Sequence, residues 1–451
     1  MTTLYDFIQR TTWEGLPLEV QRQARRCLLD TLGVALAGRA TEVSRIIHDY
    51  VAETFAPGSA LLWQDGRRVV APGAALANAT TIDALDAHDG HSLTKGHPGA
   101  AIVAAALALA APDCPPLPGR ELLVGLAIGY EVALRAGIAL HATAADYHSS
   151  GAWNALGCAA LAARRLGQSE MQTLHALGIA EYHAPRSPIM RCVEQPTMVK
   201  DGSGWGALIG LSAAQLADKG FTGRPAALIE SDAVRPYWEG LGQDWEMLHL
   251  YFKPHAVCRW AQPAVEAALQ LQGKHRFEAA DIVAVQVQTF HEATRLAVRS
   301  PHSTEEAQYS LPFAVAAALV GGTLGSTQLT GPALADPRIL RLAALVQLSE
   351  DADLSACFPA RRFAHMTITT RDQRRFEARH VEPLWDPSAS PSDEELLAKF
   401  RWLTQDLPAD KAQRLEQLLL TCADLPDVAG LVEEASVGFP SPALPSPNQT
   451  L

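Results

Sequence analysis

Titratable side chains crowd into one short stretch of this 451-residue chain. Three carboxylates, three imidazoles and one ammonium fall between residues 83 and 97; they are Asp83, Asp86, His88, Asp89, His91, Lys95 and His97. Groups that share a small volume shift one another's pKa through burial and mutual charge. General acid–base catalysis near neutral pH depends on such shifts. The pattern therefore favours a catalytic segment that moves protons.

Two other interpretations of this stretch stay open. His and Asp are ligands of divalent metal ions, but their spacing matches no closed zinc motif and no cysteine assists. We therefore expect no metal. A solvated polar loop without function is the second alternative, because loops on protein surfaces are commonly polar.

Lysine usage gives a second, independent signal. Seven lysines stand against thirty arginines, and Lys95, Lys200 and Lys253 lie in stretches rich in Gly, His or Pro. A lysine ammonium is compact and its pKa is readily tuned by burial, which suits a catalytic role. Drift in an arginine-biased genome is the alternative explanation for any one of them.

Positive charge also collects near turns further along the chain. Arg191 and Lys200 flank a Gly-rich turn that opens a helix, where free backbone N–H groups suit a carboxylate or phosphate. Lys253, Cys258 and Arg259 lie where the character of the sequence changes, and clefts usually form at such domain junctions. A free cysteine is mostly a small buried hydrophobe, so a nucleophilic Cys258 is not favoured. We expect a small polycarboxylate as the ligand of these cations.

Composition narrows the classes of partner and location. The formal net charge of −12 argues against nucleic acid and anionic membrane surfaces. The apolar runs are too short and too rich in alanine for a membrane span. Seven widely spaced cysteines form no Cys-x-x-Cys pair, which is typical of a reduced protein. With no signal-peptide pattern at the N-terminus, we expect a cytoplasmic protein.

The chain divides into two kinds of sequence. Residues 1–250 show helical periodicity rich in small side chains and predict a large all-helical domain. Residues 251–390 predict a smaller α+β lid domain inserted into it, and residues 391–438 predict C-terminal helices that return to the helical domain. The Pro/Ser-rich tail, 439–451, is predicted to be disordered. The expected fold class is mostly α with an inserted α+β domain.

Apolar spacing and terminal Pro and Gly residues predict the individual elements. The predicted helices are 17–38, 74–85, 98–111, 119–139, 151–166, 204–218, 261–273, 311–321, 392–403 and 409–424. Strict alternation predicts a strand at 282–290, and 363–370 with 374–380 predict a β-hairpin. Ser392 and Glu395 form a capping box that starts the helix after the hairpin.

These segments occur in an order that resembles the MmgE/PrpD family. Asp86-Ala-His-Asp-Gly90 followed by His97-Pro-Gly99 is similar to the family's Asp-x-x-Asp-(Thr/Gly) and His-Pro-(Ser/Gly) pattern. The other matching segments are Cys27–Gly38, Gly129–Val132 with Arg135, His148, Lys200 with Gly206–Ala214, Gly220–Gly223, Lys253–Cys258 and Ala307–Phe313. Each motif is weak alone, but the shared order covers nearly the whole chain.

The resemblance implies a homodimer with its active site between the helical domain and the lid, and no metal or organic cofactor. Carried over residue by residue, the catalytic set is Asp86, His97, His148, Lys200 and Lys253. Less defined roles fall to Asp89, His91 and Cys258. Arg191 and Arg259, together with the two lysines of the set, are predicted from their charge to neutralise substrate carboxylates. On its own, a histidine placed like His148, just before a helix, is usually structural.

The implied reaction is proton abstraction alpha to a carboxylate with dehydration of a 2-methylcitrate-like hydroxy acid. Decarboxylation or epimerisation of a related polycarboxylate is the alternative, and a non-catalytic helical scaffold is the alternative from another class. His97 or His148 would be the base, and either the other of these two groups or Asp86, acting through a neighbouring imidazole, would protonate the departing hydroxyl. Three positions depart from the family pattern: Gly90 stands where several members carry Thr, Phe313 where some carry a functional Tyr, and Gln262 where a His is frequent.

Overall fold

In the computed structural model, which describes residues 3–111 and 115–437, helices occupy most of the first 250 residues. The helices of this part are α1 Leu4–Arg10, α2 Leu18–Gly38, α3 Glu42–Thr54, α4 Ala71–Asp83, α5 Gly99–Ala108, α6 Gly119–Thr143, α7 Gly151–Arg165, α8 Glu170–His183, α9 Ile189–Glu194, α10 Ser203–Asp218 and α11 Ala227–Glu230. Four two-residue strands lie among them, β1 Ala60–Leu61, β2 Arg68–Val69, β3 Gly90–His91 and β4 Leu250–Tyr251. The tail 439–451, predicted to be disordered, lies outside the described residues.

These helices pack closely because glycine and alanine occupy their contact faces. A Cβ added at Gly210 of α10 would overlap the Cβ of Cys158 on α7. A Cβ at Gly157 of α7 would lie 2.7 Å from the Cβ of Ala133 on α6. Because interiors are already close-packed, side chains at these positions would force the helices apart. The small residues that predicted the bundle therefore set its helix spacing.

Helix α6 is long and apolar enough to span a membrane by length and composition alone. In the fold, 89% of its most apolar window is buried, and it packs against α2, α5 and α7. Packing inside the protein therefore accounts for its composition.

The remaining elements build a small mixed sheet with flanking helices. They are α12 Gln262–His275, β5 Ile282–Thr289, α13 His291–Thr294, α14 Thr304–Gln308, α15 Leu311–Gly321, α16 Ser326–Leu329, α17 Pro337–Leu345, β6 Val346–Glu350, α18 Ala352–Cys357, β7 Ala364–Thr370, β8 Arg375–Val381, α19 Asp393–Leu403, α20 Ala409–Leu420 and α21 Ala429–Ser436. The strand order is β6-β5-β7-β8, with β5 parallel to β6 and antiparallel to β7. Helix α12 packs against β7 and β8.

Most predicted elements are confirmed to within a few residues, and a mostly helical fold with a sheet in the C-terminal part is what the structure shows. The alternation that predicted β5 is a true inside–outside pattern, with Val285 and Val287 buried between more exposed glutamines. The β7–β8 hairpin and the Ser392 capping box are also present. Strand β6 was not predicted, because only its first residue, Val346, is buried and no alternation marks it.

Helix α19 lies against the N-terminal helix α2. The ammonium of Lys399 donates to Asp30 Oδ1 across 2.6 Å and to the backbone carbonyl of Ala87 across 2.6 Å. The ring of Phe400 packs on Gly33. A C-terminal helix therefore touches both the helical core and the backbone of the 83–97 stretch. The domain boundaries at 250 and 390 stay predictions.

Candidate active site

The 83–97 stretch crosses the gap between α4 and α5 and is tied to a distant part of the chain. Strand β3 pairs antiparallel with β4, with Gly90 opposite Tyr251 and His91 opposite Leu250. The backbone N–H of His91 also donates to the carbonyl of Gly96, which closes a small loop within the stretch. The pairing brings the segment that carries Lys253 directly beside the acidic and imidazole groups.

Asp86, His97 and Lys253 form the centre of the site. The ammonium of Lys253, fully buried, donates to Asp86 Oδ1 and lies 3.5 Å from His97 Nε2. Burial alone would raise the pKa of Asp86, but the charge of Lys253 holds it well below its usual value. The carboxylate is therefore anionic, and its partner ammonium lies beside the imidazole of His97.

The protonation of His97 follows from its hydrogen bonds. The backbone carbonyl of Asp89 can only accept, so His97 Nδ1 carries the proton and donates to it across 2.6 Å. Nε2 then presents its lone pair to the cleft, 3.6 Å from Asp86 Oδ1 and 3.8 Å from Asp201 Oδ2. Burial, followed by the charge of Lys253, lowers the pKa of His97 well below its usual value. A neutral imidazole whose unprotonated Nε2 faces the cleft is suited to act as a general base.

Asp89 supports this imidazole from behind. Its Oδ2 accepts from the hydroxyl of Tyr130 across 2.6 Å, and its Oδ1 accepts from the N–H of Gly99 across 3.1 Å. Burial raises the pKa of Asp89 to about 6, against the opposing effect of the Tyr130 hydrogen bond. Because both oxygens are held by the protein, Asp89 fixes the position of the carbonyl that orients His97.

A second carboxyl group faces His97 from the opposite side. Asp201 is buried, and burial together with the charges of Asp83 and Asp86 raises the pKa of Asp201 to about 7. Its Oδ1 has no hydrogen-bond partner among the described residues. A carboxyl group that holds its proton near neutral pH can donate it. The site thus contains a candidate base and a candidate acid within 4 Å of each other.

Lys200 is held at the edge of this cluster by Gln308. Its ammonium donates to Gln308 Oε1 across 2.7 Å, and the same oxygen accepts from the backbone N–H of Asp86 across 2.8 Å. The ammonium also lies 5.0 Å from the ring centroid of Tyr309. Gln308 therefore fixes the position of the Lys200 ammonium relative to the backbone of Asp86.

The cluster opens into a cleft of about 380 Å³, a volume that includes space open to solvent. The residues that line it include Asp86, Lys95, His97, Asp201, Tyr251, Cys258, Arg259, Trp260, Tyr309 and Arg362. Polar segments that are far apart in sequence converge here, whereas a non-catalytic scaffold was expected to scatter them over the surface. Burial raises the pKa of the Cys258 thiol to about 12, which does not favour a thiolate nucleophile.

Six predicted site residues are not among the residues that line this cleft. Lys200, Lys253 and Asp89 contact the cluster as described above, whereas His91, Arg191 and His148 lie apart from it. His91 is 3.4 Å from Glu246 Oε2, on the far side of the β3–β4 pair. Arg191 is exposed on α9. The backbone N–H of His148 donates to His141 Nε2, and its own buried Nδ1 has no hydrogen-bond partner in the described part of the chain. Their roles in catalysis or binding stay predictions.

The residues that could hold a metal ion coincide with the acid–base cluster. One ligand atom each of Asp86, His88 and His97 lies within 4.8 Å of the others. The oxygen of Asp86 already accepts from the ammonium of Lys253, and a second cation there would be repelled by it. The donor set therefore fits a proton-transfer cluster better than a metal centre.

Sequence reasoning gave no role to Asp201, Gln308 or Arg362. Asp201 follows Lys200 directly, so its position in a Gly-rich turn was a usable signal. Gln308 lies within the Ala307–Phe313 segment that supported the family resemblance. Arg362 had no signal, because nothing local marks a loop arginine as buried.

The departure at Gly90 has a structural explanation. A Cβ at this position would overlap the hydroxyl of Tyr251 and lie 2.8 Å from His97 Nδ1. The phenol of Tyr251 thus fills the space that a threonine side chain would need. Tyr251 and Tyr309 both line the cleft, and Phe313 does not.

Substituting Gly90 by alanine is expected to reduce the free energy of unfolding by about 1–3 kcal/mol, the cost typical of overpacking. It is also expected to reduce kcat/KM, because the added Cβ displaces either Tyr251 or His97. Urea denaturation and steady-state kinetics measure the two effects. Gly273→Ala is the matched control, since that helical glycine has open space around it. Wild-type stability of Gly90→Ala would contradict the packing argument.

A mostly helical fold that brings buried His, Asp and Lys side chains together around one cleft is typical of an enzyme. The MmgE/PrpD N-terminal domain model matches residues 2–234, and the MmgE/PrpD C-terminal domain model matches residues 255–425. The chain belongs to the MmgE/PrpD family, as the order of its motifs predicted, and the expectation of a lyase-type enzyme in this family is confirmed.

Curated relatives cover most of the chain. A protein of Homo sapiens named cis-aconitate decarboxylase is 27% identical over 439 residues, which span 91% of this chain and 89% of the relative. A protein of Mus musculus with the same name is 27% identical over 410 residues, spanning 84% and 81% respectively. A protein of Aspergillus terreus, also named cis-aconitate decarboxylase, is 24% identical over 471 residues, spanning 95% and 94%.

Proposed function

We propose that this protein is a cofactor-independent lyase that acts on a small di- or tricarboxylate by proton transfer at the carbon next to a carboxylate. The observation that carries the proposal is the neutral His97. Its Nε2 lone pair faces the cleft while Nδ1 is committed to the Asp89 carbonyl. A base, an acid and fixed cations in one cleft are the groups that this chemistry needs.

For dehydration of a hydroxy acid, each group has a defined task. His97 Nε2 removes the proton alpha to a carboxylate, and the C–H electron pair becomes the new C=C bond. Asp201 donates its proton to the departing hydroxyl, which leaves as water. Lys253 and Lys200 stabilise the negative charge that develops on the carboxylate oxygens during proton removal. After product release, the proton on His97 returns to Asp201 directly or through solvent.

Decarboxylation is the second candidate, and the names of the relatives favour it. Here the C–C bond to a carboxylate breaks, carbon dioxide leaves, and the electron pair remains on the substrate carbon framework. Asp201 then protonates the carbon that carries this charge. The same cleft serves both reactions, because each requires a stabilised carbanion and a nearby proton donor.

We further propose that the protein is a homodimer and that it is located in the cytoplasm.

Proton NMR of the purified, chelator-treated protein in deuterated buffer tests the proposal and separates the reactions. The panel is 2-methylcitrate, citrate, cis-aconitate, malate, tartrate and iminodisuccinate. Loss of water identifies a dehydratase, loss of carbon dioxide identifies a decarboxylase, and deuterium exchange without net elimination identifies an epimerase. A protein that leaves the entire panel unchanged, while His97→Ala gives the same spectra, would contradict the proposal for these substrates.

A further inference from the structure

Arg362 is a buried guanidinium that the protein leaves without an anionic partner. It is 3% exposed and lines the cleft. Its Nη1 donates to Ser92 Oγ across 3.1 Å, and its buried Nε has no hydrogen-bond partner within the described residues. Among those residues, no carboxylate lies within 4 Å of it, as an ion pair would require. A guanidinium offers five N–H donors, so most of its capacity is unused.

The neighbouring Arg259 lines the same cleft, but it has a carboxylate partner and several hydrogen-bond acceptors within the protein. Its Nη2 pairs with Asp386. Its Nη1 donates to the carbonyls of Phe252 and Leu384 and to the side chain of Gln262. The protein therefore neutralises Arg259 internally and does not neutralise Arg362. The Nε of each arginine lacks a hydrogen-bond partner among the described residues, but of the two that line this cleft only Arg259 has an ion-paired carboxylate there, which leaves the charge of Arg362 for a ligand.

Lys95 also lines the cleft and is a second cation near Arg362. It is half-buried, and its ammonium lies 3.5 Å from the ring centroid of Tyr147. Burial, followed by the charge of Arg362, lowers the pKa of Lys95 to about 8. No carboxylate of the described chain pairs with it. Placing two positive charges near each other in a partly buried site costs electrostatic free energy unless an anion binds to both.

We infer that Arg362 and Lys95 form a carboxylate subsite that binds the substrate carboxylate remote from the carbon that loses its proton. Arg362 supplies a planar pair of N–H donors that matches both oxygens of a carboxylate, and Lys95 supplies a point charge. The subsite is distinct from the Asp86, His97 and Lys253 cluster, although it lines the same cleft. This inference rests on the proposed function and specifies its substrate class as acids with at least two carboxylates.

The position of Arg362 in the fold explains how the subsite is held. It lies in the loop immediately before β7, and Ser92, its hydrogen-bond acceptor, belongs to the catalytic stretch. The C-terminal part of the chain, which contains the four-stranded sheet, thus contacts the 83–97 stretch, which carries His97. The remote carboxylate would bind between the two, at a fixed distance from the base.

Steady-state kinetics with a substrate from the NMR panel tests the subsite. The variants are Arg362→Gln and Lys95→Met, and the control is Arg361→Gln, which removes an adjacent exposed arginine that pairs with Glu382. We expect Arg362→Gln to raise KM about 10–100-fold, the loss typical of a charged hydrogen-bonded pair, with kcat changed by less than about threefold. Lys95→Met should raise KM by about 3–10-fold, and Arg361→Gln should change neither constant.

An analogue with the remote carboxylate replaced by an amide separates binding from structural damage. If the subsite exists, this analogue has a high KM with the wild type, and Arg362→Gln raises it little further. Equal losses with the acid and the amide would overturn the inference and assign Arg362 a structural role. Unchanged KM for the acid in Arg362→Gln would overturn it as well.

Failure of the proposed reaction can be told apart from failure of the subsite. If the wild type turns over no member of the panel, calorimetric titration with propane-1,2,3-tricarboxylate replaces kinetics. At least tenfold weaker binding to Arg362→Gln than to wild type and Arg361→Gln would support the subsite even then. Equal binding to all three proteins, or no binding to the wild type, would overturn it.

Discussion

Replacing His97 by alanine is expected to lower kcat about 10²–10⁴-fold, the range for removal of a general acid or base. Its Nε2 lies within 4 Å of Lys253 Nζ, Asp86 Oδ1 and Asp201 Oδ2. Its loss leaves the cations in place, so substrate should still bind and KM should change little. Steady-state kinetics on a substrate found by NMR, with circular dichroism to check folding, measures the effect.

His48→Ala is the matched control for this substitution. His48 is also a fully buried imidazole, with Nε2 2.9 Å from Thr81 Oγ1 and Nδ1 3.3 Å from Asp65 Oδ2, but it does not line the cleft. Its loss should reduce stability, because buried polar partners lose their hydrogen bonds, without reducing kcat. Wild-type turnover by His97→Ala would remove His97 from the role of base and leave His148 as the candidate.

The 83–97 stretch could be identified from the sequence as a candidate site because its signal is local. Three carboxylates and three imidazoles between apolar helices have few roles other than chemistry or metal binding, and the scarcity of lysine pointed to Lys200 and Lys253. The structure brings both lysines into contact with this stretch or with Gln308, which holds it. Residue type and spacing were sufficient for the parts of the site that lie close together in the chain.

The rest of the site depends on contacts between distant segments. Gln308 bonds the backbone of Asp86 across 222 residues, and Arg362 reaches Ser92 across 270. No local sequence pattern predicts such a contact, because the burial of a loop arginine depends on the packing of the whole fold. The same limit explains strand β6, whose pairing with β5 is tertiary and whose own sequence is mostly exposed.

The titratable groups of the cleft differ in their protonation states at neutral pH. Asp86 is held anionic by Lys253, His97 is held neutral by burial, and Asp201 is held protonated near neutral pH by burial and neighbouring carboxylates. Identical carboxyl groups in one cleft thus have different protonation states because their neighbours differ. Such a separation of pKa values is how a protein assigns the acid and the base before substrate arrives.

Asp201→Asn is expected to lower kcat about 10²–10⁴-fold and to change the shape of the pH profile. In the wild type, His97 must be neutral, and its pKa lies well below the usual 6.5, so activity should persist as the pH falls below 6.5. Asp201 must be protonated, and its pKa is about 7, so kcat/KM should fall as the pH rises through 7. An asparagine cannot titrate, so this alkaline decline should disappear from the residual activity.

Asp83→Asn provides the control, because it alters the environment of Asp201 without removing its carboxyl group. After burial, the negative charge of Asp83 is the strongest influence that raises the pKa of Asp201. Neutralising it should lower that pKa, so the alkaline decline should shift to lower pH while kcat at acidic pH is largely retained. A decline that stays near pH 7 in Asp201→Asn would identify another group as the acid. A decline that vanishes in Asp201→Asn and shifts in Asp83→Asn would identify Asp201 as the group that delivers the proton.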